Sequence, residues 1–245
     1  MRIARLVFAA VLVALGIATL VDRDYLPIWL LPDDAPAPHV LAYLCAAVSI
    51  ACGAGLAWPR TAAIAAWVWL GYVAMWTLIF PARLLAHLIG DLGSWYGVAE
   101  PAVLVAAAWI LATPRGVPVA RAIYGLALIP FGLGHFVYLE RTESLVPSWL
   151  PAHHALALFT GAAFFAAALA IVTGVLARLA AALSALQLAL FTVLVWTSLR
   201  LERPLNPFEW NEVGSSIALA VAGWIVTESY RDVPWLGVAW RRTRA

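Results

Sequence analysis

His135 stands inside a long apolar run, Ala122–Tyr138. An ionisable side chain placed where a bilayer supplies no water marks a functional candidate, and an imidazole there can hydrogen-bond an oxygen and exchange a proton with it. Glu100 and Glu212 sit at the starts of two other apolar runs. A carboxylate in that setting serves as a proton-handling acid or as a cap favoured by the helix dipole. Pro101 after Glu100 fits the cap, because proline belongs at the first helical position. His39, His154, Arg83 and Arg203 flank further apolar runs, where they supply hydrogen bonds and charge for a polar ligand head. The two histidines read equally well as solvated helix-start residues. Arg83, Arg200 and Arg203 read equally well as loop ion pairs with Glu202, Glu209 and Glu212. Glu228 is expected to pair with Arg231, three residues on.

Other chemistries find little support. Histidines from separate helices could ligate a metal or haem at one depth, but no HxxxH or CxxCH spacing is present, and no metal site is expected. Cys45 and Cys52 lie roughly 10 Å apart along one helix, beyond disulfide reach, and read as small packing residues. Phosphate-binding glycine loops, nucleophile elbows and zinc motifs are missing from the sequence. Nucleic acid is not an expected partner, because the basic residues are expected to spread along the cytoplasmic membrane surface.

The elements that position these side chains follow from composition. Apolar residues make up 64% of the 245 residues and charged ones 11%, against about 25% charged in soluble domains. So few charges cannot cover a surface facing water, so most of this surface must face lipid. Spanning helices need about 20 apolar residues. The candidates are Ile3–Val21, His39–Ala57, Thr61–Phe80, Val98–Thr113, Ala122–Tyr138, His154–Leu176, Leu179–Leu199 and Val213–Tyr230. Pro130, among Gly125, Gly132 and Gly134, is expected to kink the fifth. Arg2 and Arg5 before the first run resemble a signal peptide, but an internal repeat places Ala122–Tyr138 in the same position and makes the first run an anchor.

That repeat pairs Leu26-Pro27-Ile28-Trp29-Leu30 with Val146-Pro147-Ser148-Trp149-Leu150, and His39-Val40-Leu41-Ala42 with His154-Ala155-Leu156-Ala157. Gly55 and Arg60 answer Gly174 and Arg178; Trp76-Thr77 answers Trp196-Thr197; Trp95 and Trp109 answer Trp210 and Trp224. The expected fold is all-α: a polytopic membrane protein of about eight transmembrane helices in two parallel-repeat four-helix bundles, 1–116 and 117–231, with a basic tail, 232–245. All 15 basic residues are arginines. With the N-terminus inside, they favour the cytoplasmic face two to one, which puts both termini in the cytoplasm. Trp235 and Trp240 beside the terminal arginines read as a tail lying on the anionic leaflet. In this orientation all five histidines and most acids fall on or near the outer face.

Gly134-His135-Phe136, Val146-Pro147-Ser148-Trp149-Leu150-Pro151 and Gly161 resemble the opening of a DoxX-like membrane protein. In the first copy, Gly53-Ala54-Gly55-Leu56-Ala57-Trp58-Pro59-Arg60 is similar to that family's glycine-rich helix end and arginine turn, and Phe80-Pro81-Ala82-Arg83 to its later phenylalanine–proline motif. The resemblance implies a four-helix unit, here doubled, and a link to thiosulfate:quinone oxidoreduction or periplasmic redox maturation. The chain departs from the pattern at Phe164, and at Val48 in the first copy, where members often carry a glutamate. His135 has roughly Ile17 as its first-copy counterpart.

Three functions follow as expectations. The leading one is a bacterial inner-membrane subunit or accessory of a quinone-linked or envelope redox system. Quinone would be a non-covalent cofactor near the periplasmic face, and electrons would come from a redox partner protein. His135, Glu100 and Glu212 would carry the proton chemistry, and His135, His154, His39, Arg83 and Arg203 would bind the cofactor. The alternatives are a non-enzymatic scaffold or assembly factor, packed through small-residue runs such as Ala162–Ala163, and an acid–base isomerase or cyclase acting on a lipid or isoprenoid through Glu100.

Overall fold

The computed structural model describes residues 1–22, 38–84, 92–205 and 207–239. In lipid each backbone group must find its partner within the protein, and an apolar run satisfies that rule by coiling. The described residues accordingly form helices α1 Arg2–Asp22, α2 Pro38–Ala57, α3 Ala62–Leu84, α4 Leu92–Ala112, α5 Val117–Val137, α6 Leu139–Leu145, α7 His153–Thr173, α8 Ala177–Leu190, α9 Thr197–Glu202 and α10 Pro207–Ser229. A π-helical stretch, Phe191–Trp196, joins α8 to α9. Six helical segments are long and apolar enough to cross a membrane, and Ala62–Leu78 is a shorter apolar one. The chain is a helical membrane protein with several spans. α10 is not among the six; Glu209, Asn211 and Glu212 dilute its apolar run.

Several expectations shift. α4 starts at Leu92, so Glu100 and Pro101 lie in its third turn rather than at its head. Glu212 lies in the second turn of α10. The cap reading fails for both, because the helices extend back through polar residues that the apolar pattern alone excluded. Pro130, the site of the expected kink, lies inside α5, which continues as one helix through it. Glu228 pairs with the amino group of Met1, and Arg231 lies 3.6 Å from Asp232 instead.

Successive helices pack side by side, α1 on α2, α2 on α3, α3 on α4, α4 on α5, α5 on α7, α7 on α8 and α8 on α10, and α10 also packs on α4 and α1. Small residues set the closest crossings. A Cβ on Gly53 would meet the Ala9 carbonyl oxygen at 2.7 Å, and one on Gly132 would meet the Gly161 carbonyl oxygen at 3.0 Å. Between α5, α8 and α10 the buried Tyr124 hydroxyl and Ser184 Oγ are 2.9 Å apart.

At the end of the bundle that carries the α7–α8 turn, the chain folds back on itself. Gly174, left-handed at φ 75°, terminates α7. Ala239 N–H donates to Gly174 O at 2.8 Å, Leu176 N–H to Gly237 O at 2.9 Å, and Val175 bridges Val238. Arg178 donates to the carbonyls of Arg231 and Val233 at 3.0 and 2.8 Å and stacks over Trp235 at 4.1 Å. The tail is thus tied to the helix turn through Ala239. Trp240 lies outside the described residues.

Candidate functional site

The opposite end carries the polar candidates. His135 lies near the end of α5, three residues before the Tyr138 cap. Its Nδ1 is 2.8 Å from the carbonyl oxygen of Phe131, one turn back. A carbonyl only accepts, so Nδ1 is the donor of this bond, and in the neutral form of the ring Nε2 is the acceptor. Two phenyl rings pack on the imidazole, and a third packs on one of them. Phe191 stacks on it at 5.7 Å, Phe164 meets it edge-on at 5.5 Å, and Phe131 packs on Phe164 at 5.8 Å. Phe191 opens the π-helical stretch, an arrangement frequent at functional sites because the extra residue per turn re-aims side chains. Gly161 admits the close approach: a Cβ there would lie 2.7 Å from His135 Cβ.

Tyr96 on α4 extends the cage, stacking on Phe131 at 5.8 Å. Its hydroxyl lies against Gly134, where any Cβ would collide with it. Glu100 lies four residues along the same face of α4, and Glu212 lies on α10, which packs on α4. Pro101 has no N–H, so the Gly97 carbonyl one turn before it lacks its helical donor. Among the described residues neither carboxyl makes a hydrogen bond. Tyr96 and Glu100 share one face of α4, against which α10, the helix of Glu212, packs; among the described residues no hydrogen bond links these groups to one another or to His135, and titratable groups so placed are candidates for proton exchange.

The remaining candidates are placed elsewhere at the same end. His154 begins α7, largely exposed, with Nδ1 2.7 Å from Glu143 Oε1. Arg203 forms a fork with Glu209, Nη1 to Oε2 at 2.8 Å and Nη2 to Oε1, the bidentate geometry that suits a guanidinium and a carboxylate. His39 begins α2, which packs on α1 and α3 and not on the helices around His135. Arg83 falls in the last turn of α3, with its side chain outside the described residues. The helices of His135, Glu100 and Glu212 are thus packed neighbours, α5 on α4 and α4 on α10, while His154 and Arg203 pair with Glu143 and Glu209. Cys45 and Cys52 are free and buried.

Sequence reasoning passed over Tyr96, Phe131, Phe164 and Phe191. In a chain with 12% aromatic residues no ring stands out by type, and the chain of contacts from Tyr96 through Phe131 and Phe164 to His135 and Phe191 exists only after α4, α5, α7 and the π-helical stretch have packed. No protein-family model, curated protein or solved structure matches the chain.

Proposed function

We propose that this chain is a DoxX-like inner-membrane protein of eight spans in two duplicated four-helix units. In this reading both termini are cytoplasmic, and the protein binds a quinol at His135 for a redox system of the membrane or envelope. What supports the duplication is the pattern of helix contacts. Exchanging α1 with α5, α2 with α7, α3 with α8 and α4 with α10 reproduces the principal neighbours, apart from a small α5–α10 contact.

The observation that carries the ligand is the committed Nδ1 of His135. A neutral imidazole with only Nε2 open accepts a hydrogen bond, which fits the hydroxyl of a quinol and not the bare carbonyl of a quinone. The surrounding rings suit a flat, bilayer-soluble head. Oxidation of a bound quinol supplies two electrons to a partner protein and releases two protons. His135 Nε2 takes one proton, and the carboxyl pair Glu100 and Glu212, reached past Tyr96, takes the other.

The test is titration of a short-chain quinol and its quinone into the purified chain under anaerobic conditions, followed by tryptophan fluorescence. The quinol binds more tightly than the quinone, and His135→Ala weakens it by about tenfold or more, as loss of a buried hydrogen bond requires. Unchanged emission, or equal affinity in His135→Ala, removes this reading.

A further inference from the structure

A cleft of about 180 Å³ opens between the α6–α7 connection and the helix that continues α8, lined by Glu143, Ser144, His153, Val195, Ser198 and Leu199 among others. It lies beyond the His135 cage along both helices. On α7, His153 precedes Gly161, the residue in contact with His135, by eight residues, or about 12 Å of rise. On the other side, Val195 follows Phe191 by four residues within the π-helical stretch. At about 30 Å³ per water, the space holds roughly six waters, enough for a small polar head and not for a whole lipid.

Its hydrogen-bonding capacity is only partly used. Glu143 Oε1 is 2.7 Å from His154 Nδ1, which leaves Oε2 unspent. Ser198 Oγ accepts from Trp149 Nε1 at 3.3 Å, so its own hydrogen remains to be given. Ser144 has given its hydrogen to Arg141 O at 2.7 Å and keeps its lone pairs. His153 makes no hydrogen bond among the described residues. The backbone strain sits here too: Ala152, immediately before His153, holds a left-handed conformation at φ 58° and ψ 47°. An L residue with a Cβ adopts that conformation at a cost, as Leu176 also does at the other end of the bundle. Acceptors outnumber donors, one of them carries negative charge, and the walls from Val195 and Leu199 are apolar.

We propose that this cleft binds the hydroxyl-bearing head of a membrane amphiphile. Glu143 accepts from one hydroxyl, Ser198 donates to the head, and the apolar stem lies along Val195 and Leu199. The site stands apart from the His135 reading and does not depend on it. Two sources present such a head, a glycerol-headed lipid and a quinol.

The test uses the full chain in phosphatidylcholine nanodiscs, with monoolein and a decyl-substituted quinol as separate probes. Affinities are measured for the wild type, Glu143→Gln and Val195→Trp, alongside the unliganded thermal midpoint of each. At least one probe binds the wild type, about tenfold more weakly in Glu143→Gln and not measurably in Val195→Trp, while His135→Ala leaves the monoolein affinity unchanged. Binding of monoolein alone makes the head a lipid's. Quinol binding that is lost in Val195→Trp makes it a quinol's. If neither probe binds, or both variants bind as the wild type does, the proposal is overturned. Should Val195→Trp lose its midpoint, Leu199→Trp fills the same cleft in its place.

Discussion

Adding one methyl group at Gly134 tests the packing that joins α4 to the histidine cage. A Cβ at this position would land on the Tyr96 hydroxyl and come within 2.6 Å of Tyr96 Cζ. Tyr96 is partly buried, and its ring is stacked on Phe131 at 5.8 Å, so yielding costs that stack. Either α4 and α5 separate or the stack breaks. Overpacking a filled site costs about 1–3 kcal/mol, and loss of an aromatic pair adds about 0.5–1.5 kcal/mol. Alanine returns up to about 1 kcal/mol through helix propensity. The net loss is about 0.5–4.5 kcal/mol, or roughly 1–18 °C in thermal midpoint for a chain of this size. The assay is thermal unfolding of the purified chain in mild detergent, with Gly71→Ala as control, since a Cβ at Gly71 meets nothing within 4 Å. The control holds or raises the midpoint. Tyr96→Phe in the Gly134→Ala background removes the clashing oxygen but not Cζ, so it recovers part of the loss, a coupling of about 0.5 kcal/mol or more. A Gly134→Ala midpoint at or above wild type, or no rescue by Tyr96→Phe, refutes the packing argument.

Two other outcomes are expected. Arg178→Ala removes two donated hydrogen bonds and the stack on Trp235, so protease cleavage within residues 233–239 accelerates by about tenfold. Arg178→Lys restores the charge without the planar guanidinium and leaves most of that acceleration, whereas unchanged cleavage in both variants would show that the backbone bonds alone hold the tail. A reporter fused after Ala245 is active in the cytoplasm, following the two-to-one arginine bias; activity in the periplasm reverses the orientation and puts the His135 cage on the cytoplasmic side.

The helices themselves were largely legible, because a chain in lipid has few options besides coiling and the apolar runs are long. Their ends were less so. The apolar pattern placed the α4 start near Val98, yet the helix begins at Leu92, because Leu92, Trp95 and Tyr96 coil on into polar surroundings that hydropathy reads as loop. His135 was legible as a candidate from one property, a titratable ring in an apolar run. Its proton arrangement was not, since that depends on Phe131 lying one helical turn behind it. The π-helical stretch left no mark in the sequence: Phe191–Trp196 is ordinary helix-compatible composition, and the extra residue per turn arises from packing. Glu143 with His154 was hidden for a different reason, because α6 is a short polar helix in what reads as a loop.

On the proposed duplication, the shared frame explains why there would be one such site and not two. Aligning Trp95 with Trp210 puts Ser215 opposite Glu100 and Gly97 opposite Glu212, so each half contributes one carboxyl from a different register. Ser215 is 1% exposed, and among the described residues its hydroxyl has no partner. The pair forms only where α4 meets α10. The contacts also interleave the halves, because α1 packs on α10 and α5 on α4. Residues 1–116 expressed alone would leave the α10-facing side of α1 and α4 open to lipid and Glu100 without Glu212. The carboxyl pair is therefore a property of the whole chain and of neither half.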